Sequence, residues 1–160
     1  MTTLTPMCES AYADFAEKSI PSHAAEKVAS GQWSPQESLD LARQSFNALL
    51  PQGLATPEHY FFTIMDKEQT AVGMVWIAAQ DRAGKRIAYI YNVSIELQHR
   101  RKGHATRALQ ALEDEIRRLS LSGLALHVFG HNSSAHALYV KLGYLTTNIN
   151  MFKSITTKSV

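Results

Sequence analysis

Residues 100–105, Arg100-Arg101-Lys102-Gly103-His104-Ala105, stand between an apolar run, Ile87 to Ile95, and a stretch in which Ala105, Ala108, Leu109, Leu112, Ile116 and Leu119 recur at three- and four-residue intervals. That recurrence is one face of a helix, so a helix starts near Gly103. The first turn of a helix leaves N–H groups without carbonyl partners, and the aligned peptide dipoles add positive charge there. An anion fits that end. Gly103 has no Cβ to hold a phosphate off the backbone, Ala105 keeps the next turn small, and Arg100, Arg101 and Lys102 add charge at the same point. The hexapeptide reads as a pyrophosphate grip, although alone it also fits a basic, solvated helix start.

A second motif lies downstream. Asn132-Ser133-Ser134-Ala135-His136-Ala137-Leu138-Tyr139-Val140-Lys141-Leu142-Gly143-Tyr144 reads as a short helix, capped by Asn132 or Ser133 and closed by Gly143 in a left-handed position. Together the two stretches resemble the GNAT superfamily of N-acetyltransferases. Residues 100–105 are similar to its Arg/Gln-x-x-Gly-x-Gly/Ala signature, and Asn132, Ala135, Leu138, Tyr139, Gly143 and Tyr144 to its second acetyl-CoA motif. The resemblance is firm from Ile87 to Phe152 and looser upstream. The chain departs from the pattern at Arg101, where relatives often have Gly, and at His104, where an aliphatic residue is frequent.

A length of 160 residues suits one domain, spanning 1–160, with N-terminal helices over about 6–50 and a hairpin and cofactor-binding core over about 60–155. Hydrophobic content of 45% with 19% charged residues belongs to a globular protein rather than a disordered or fibrous one. The single cysteine, Cys8, excludes an intramolecular disulfide and has no local His to make it a nucleophile. A net charge of +2, with the basic cluster at 99–102 offset by Glu113, Asp114 and Glu115, argues against nucleic acid. His127, His131 and His136 lack an acidic or thiolate neighbour, so no metal is expected. The start lacks a basic stretch followed by an apolar run, and no apolar segment reaches membrane length, so no membrane partner is expected and the cytoplasm is the expected compartment. The sequence leaves a homodimer open.

Along the chain, Pro6 to Lys18 shows helical spacing ended by Pro21, and a second helix runs from about Ser22 to Ala29. Ser34-Pro35-Gln36-Glu37 reads as a capping box opening a helix through Leu39, Ala42, Phe46 and Leu49 to Leu50. Tyr60 to Met65, Ala71 to Ala79 and Arg86 to Ile95 read as three antiparallel strands. After the long helix come a strand from Leu124 to Phe129, the short helix, a last strand from Thr146 to Ile155, and a frayed tail at Lys158-Ser159-Val160. This order implies an α/β (α+β) fold, a mixed and mostly antiparallel sheet with helices on both faces. The resemblance implies in addition a parallel strand pair, splayed between Tyr91–Ile95 and Leu124–Phe129, with the pantetheine arm of the cofactor in the opening.

The resemblance further implies an acyltransferase that moves the acetyl group of acetyl-CoA to a primary amine of a small molecule or protein, with no metal and no covalent enzyme intermediate. No Ser-His-Asp arrangement or nucleophilic Cys contradicts this. By resemblance, the cofactor is held by Val93 and Ile95 on the strand, by Arg100, Arg101, Lys102, Gly103, His104 and Ala105, and by Asn132, Ser133 and Ala135. A backbone N–H at Val93 to Ile95 stabilises charge on the thioester oxygen, and the phenol of Tyr139 serves the leaving thiolate. Tyr139 also reads as a core residue beside Leu138 and Leu142. Glu96 is the acidic residue next to the motif and the candidate base; it reads equally as a solvated loop carboxylate, with a water chain in its place. A module that binds acyl-CoA without turnover is the alternative from another class.

Overall fold

The computed structural model describes residues 1–156; the tail expected at Lys158-Ser159-Val160 lies outside the described residues. In chain order the elements are β1 (Thr3–Pro6), α1 (Glu9–Ala29), α2 (Ser38–Leu49), β2 (His59–Met65), β3 (Ala71–Arg82), β4 (Lys85–Ile95), α3 (His104–Arg118), β5 (Leu124–Leu126) and α4 (Ser133–Lys141). They build one sheet in the order β1-β2-β3-β4-β5, antiparallel except for the parallel pair β4-β5. The expected mixed sheet with helices on both faces is therefore present.

Strand alternation sends successive side chains to opposite faces. On one face Phe62, Ile64, Val75, Ile77, Ala88 and Ile90 meet Ala108, Leu109, Leu112 and Ile116, the buried stripe of α3, and α4 adds Leu138 and Tyr139. On the other, Phe61, Met74 and Trp76 meet Phe15 of α1, with Phe46 and Leu49 of α2 packed against them.

Two bulges interrupt the alternation. Trp76 pairs with Asn92 and Ile77 with Ile90, which leaves Tyr91 as an extra residue on β4. The bulge switches parity, so that Val93 and Ile95, like Ala88 and Ile90 before them, pack toward α3. On β3, Ile64 pairs with Gly73 and Met65 with Ala71, which leaves Val72 extra. Here β3 and β4 approach so closely that a Cβ on Gly73 would lie 2.1 Å from the Ser94 carbonyl oxygen.

Several expectations are corrected. Residues 3–6 form an edge strand rather than leading into a helix at Pro6, and they do so by pairing with β2, a partner distant in sequence. Pro21 does not end the first helix; α1 runs through it as one element. The missing N–H would have met Glu17, and both residues are exposed, where water serves the freed carbonyl. Helix α2 starts at Ser38 instead of Pro35, because Ser34 Oγ donates to Glu37 Oε2 at 3.2 Å and so does not cap the helix backbone. Strand β5 stops at Leu126, where β4 turns away at its bulge. Thr146 to Ile155 is not a strand: no backbone pairing holds it, and its apolar side chains stand in solvent.

Gly73→Ala is expected to lower the stability of the fold by about 1–3 kcal/mol, the usual range for overpacking, because the opposing atom is backbone and has nowhere to move. Urea unfolding measures it; an unchanged midpoint would mean the two strands separate freely at this point.

Candidate functional site

The loop between β4 and α3 gathers the first part of the site. Gly103 caps α3 from the left-handed region at φ 82°, and the first helical bond runs from the Arg107 N–H to the Gly103 carbonyl. Among the described residues no acceptor meets the backbone N–H groups of residues 101 to 106. Six consecutive unmet donors at a helix N-terminus form a cradle able to receive an anion. Arg101 helps to shape it with φ 60°, a conformation a non-glycine residue rarely adopts, at the position where Gly was the expected residue.

The cations around the cradle have distinct tasks. Arg100 donates from Nε to the Ile95 carbonyl at 2.9 Å, and Arg107 donates to the Lys102 carbonyl at 2.8 Å and to Thr2 Oγ1 at 2.9 Å, so both brace the loop. Arg101 and Lys102 are exposed and, among the described residues, pair with no carboxylate. Their charge is available to a ligand. Thr2 Oγ1 also lies 3.1 Å from His104 Nδ1. The hydroxyl that accepts from Arg107 thus also ties the His104 ring to the same brace. Burial first, then Arg107, holds the His104 pKa below its ordinary value, while Asp66 pulls the other way. A depression of about 410 Å³ opens beside the loop, with Lys102, His104 and Arg107 on one wall and Asp66 and Glu68 on another.

A gap in the sheet forms the second part. The parallel pairing covers Ala88 with Leu124, Tyr89 with Ala125 and Ile90 with Leu126, and ends there. From the Tyr91 bulge onward the edge of β4 facing β5 is open. Glu96 N–H bonds the Val72 carbonyl on β3, while the Ile95 carbonyl is met by Arg100 on the other side. By strand alternation, Val93 and Ile95 present their backbone N–H groups to the open edge. The structure thus places the splay between the two segments expected to border it.

Helix α4 supplies the third part. Asn132 caps it, its Oδ1 accepting from the Ala135 N–H at 3.4 Å, which leaves Nδ2 without a described partner. Ser133 is the exposed first residue of the helix and Ala135 is half-buried. Tyr139 packs against the same core cluster as Val93 and Ile95, edge-on to Tyr144 at 5.5 Å, and burial raises its phenol pKa. Tyr144 is pushed up to about 12, by burial first, and its buried hydroxyl has no hydrogen-bond partner. Glu96 is exposed just past β4 with no side-chain partner among the described residues. Val93, Ile95 and Tyr139 therefore pack against one core cluster, and Glu96 follows Ile95 directly with its side chain exposed.

An aromatic group on the opposite sheet face extends past what sequence reasoning found. Trp76 stacks on Tyr91 at 4.6 Å and donates from Nε1 to His59 Nδ1 at 3.0 Å, Gln80 donates to the Tyr91 hydroxyl at 3.3 Å, and Tyr89 meets Tyr91 edge-on at 4.8 Å. Burial lowers the His59 pKa and raises those of Tyr89 and Tyr91. Tyr89 and Tyr91 lie on β4 and Trp76 on β3, within stretches the sequence reads as strands. His59 gave no signal, since only the strand register brings it to Trp76.

The sequence profile of the acetyltransferase (GNAT) family matches residues 23–144. The chain is 36% identical over 152 residues to a Bacillus subtilis protein described as the uncharacterized N-acetyltransferase YycN, covering 95% of this chain and 97% of that one. It is 35% identical to a second B. subtilis protein described as the uncharacterized N-acetyltransferase YdgE, covering 96% and 98%. The crystal structure of the putative acetyltransferase YycN superposes with a TM-score of 0.93 at 34% identity, covering 98% of this chain and all of that one.

At Gly103 a Cβ would both strain the left-handed backbone and lie 2.7 Å from Arg107 Nη1. Gly103→Val is therefore expected to weaken pyrophosphate binding by about tenfold or more, or at least about 1.4 kcal/mol, in a folded protein. Titration calorimetry reads it, and undiminished affinity would move the anion site elsewhere.

Proposed function

The chain belongs to the acetyltransferase (GNAT) family, and we propose that it moves the acetyl group of acetyl-CoA directly to a primary amine of a small molecule or protein. The observation that carries this reading is the row of unmet N–H groups at 101–106, flanked by the free cations Arg101 and Lys102 and joined to the open edge of β4. Among the described residues no carboxylate pairs with Arg101 or Lys102, so the residues fit a pyrophosphate.

A CoA thioester supplies an activated acetyl group, and the protein has to hold, orient and manage protons. The cradle at 101–106 receives the pyrophosphate. Asn132 Nδ2 and the Val93 and Ile95 backbone groups line the course of the pantetheine arm, and a strand N–H meets the thioester oxygen as negative charge grows on it. With its pKa raised, the Tyr139 phenol stays protonated and donates to the departing sulfur, a role that its packing alone does not require. Glu96, exposed at the end of β4, takes the amine's proton directly or through water. Ser133 and Ala135 form the first turn of α4 beside the arm. The acceptor lies beside the half-buried Tyr89 and Tyr91, with the buried Trp76 stacked beneath Tyr91, where a π-rich surface suits an amine. Among the described residues no helix is long and apolar enough to cross a membrane, and we place the protein in the cytoplasm.

Thiol release from acetyl-CoA over a panel of small amines and peptide N-termini or lysines tests the reading. Turnover with at least one acceptor is expected; binding of acetyl-CoA without turnover on any would leave an acyl-CoA-binding module. Tyr139→Phe keeps the ring in the core and removes the hydroxyl, so kcat is expected to fall about a hundredfold at nearly constant acetyl-CoA affinity. A variant turning over at the parent rate across the alkaline range has no use for this phenol.

His104 adds a pH dependence. In the free protein its cation is disfavoured, and a bound pyrophosphate favours it, so binding takes up protons and affinity strengthens as pH falls into the range where the imidazole of the complex takes up its proton. The ligand's own phosphates titrate in both proteins, so the comparison is with His104→Ala, which is expected to show the shallower slope. Identical slopes would remove His104 from the site.

A further inference from the structure

On the acetyl-transfer reading above, we infer that Lys27 binds a carboxylate of the acceptor, so that the amine acetylated by this chain belongs to an amino acid or acidic peptide and not to a polyamine. Helix α1 begins over β2 and β3, where Tyr12 meets Phe61 at 5.2 Å and Phe15 meets Trp76 at 5.8 Å. From Phe15 to Lys27 the helix advances about 18 Å. There Lys27 Nζ lies 6.0 Å from the centre of the Phe129 ring, in the segment that leaves β5. Strand β4 stands between β3 and β5, so α1 crosses the strip of sheet in which the β4 edge is open. On the stripe that the buried Phe15 begins stand Ser19, His23 and Lys27 at four-residue spacing, all half-buried. An apolar stripe thus turns polar where it passes the opening.

The Lys27 ammonium is held without a counter-ion. Trp33 is centred 5.6 Å from Nζ on one side and Phe129 on another. Trp33 is fixed against the end of α1, since the Lys27 carbonyl accepts from the N–H of Gln32 at 2.9 Å and of Trp33 at 3.4 Å, and His23 meets the indole edge-on at 5.5 Å. Nζ donates to the Gln32 amide oxygen at 2.9 Å, and among the described residues no carboxylate pairs with it. A half-buried ammonium with two ring neighbours and one neutral partner keeps donors for an anion. Burial first, then Lys27, lowers the His23 pKa, so at neutral pH Lys27 is the charge on this stripe. One ammonium balances one carboxylate. A phosphate dianion would exceed it, and a second amine on the acceptor would be repelled.

Acetyl transfer is measured on matched acceptors that differ at one group: α-amino acids against their amides, and glutamate-containing dipeptide amides against their glutamine counterparts. In at least one series the parent is expected to favour the carboxylate by about tenfold in kcat/KM, mainly through KM, and that series identifies whether the α-carboxylate or an acidic side chain is read. Lys27→Met is expected to abolish the preference at unchanged KM for acetyl-CoA, and Lys27→Arg to restore most of it. Glutarate, a dicarboxylate without an amine, gives a readout that needs no turnover. With CoA filling the anion cradle, glutarate is expected to change the tryptophan emission saturably in the parent and not in Lys27→Met. Equal turnover of both members of every pair, a preference that survives Lys27→Met, or the same glutarate response in both proteins would overturn the role of Lys27. Glutarate binding through Lys27 in a protein that acetylates no acceptor would overturn acetyl transfer and leave the carboxylate site standing.

Discussion

A single extra residue in β4 organises the molecule. At Tyr91 the antiparallel ladder with β3 skips one position, and the parallel ladder with β5 ends at the residue before it. One local event thus produces an open strand edge, turns Val93 and Ile95 to the same core face as Ala88 and Ile90, and sets Tyr91 against Trp76 on the other. Had β4 continued flat, its N–H groups would all be taken up by sheet bonds. The proposed chemistry uses backbone donors, and the bulge is what leaves them unpaired.

The cradle is the complementary constraint. Its donors are fixed before any ligand arrives, by Arg107 bonding the Lys102 carbonyl, Arg100 bonding the Ile95 carbonyl, and Gly103 and Arg101 both held at positive φ. Rigid donors lose little freedom on binding, and the strain at Arg101 is borne by this bracing. Arg100 and Arg107 are committed to backbone carbonyls, while Arg101 and Lys102 are exposed and, among the described residues, pair with no carboxylate.

What was legible in the sequence follows from the range of the interactions involved. Helix α3 and the Gly103 cap are local patterns, and so are the hairpins of β2, β3 and β4; each was readable from a few neighbouring residues. The Asn132 cap was legible for the same reason. Residues 3–6 were not, because their strand exists only through pairing with Phe62 to Met65. Nor was the passage of α1 through Pro21, since an exposed proline weakens a helix without deciding whether the rest holds it. Thr146 to Ile155 has the right alternation for a strand, yet alternation states only which face is apolar and not whose edge it meets. The bulge at Tyr91 and the meeting of His59 with Trp76 depend on strand register, which composition does not carry.

Thr2 is buried to 7% exposure and bonded to both His104 and Arg107, with Met1 on the rim of the depression beside the loop. The first residues of the chain are therefore a structural member of the anion loop. A purification tag or fusion partner joined ahead of Met1 would emerge over this depression and crowd the very residues that an assay sets out to measure. Preparations released by a protease that leaves extra residues ahead of Met1 would carry the same burden in smaller form.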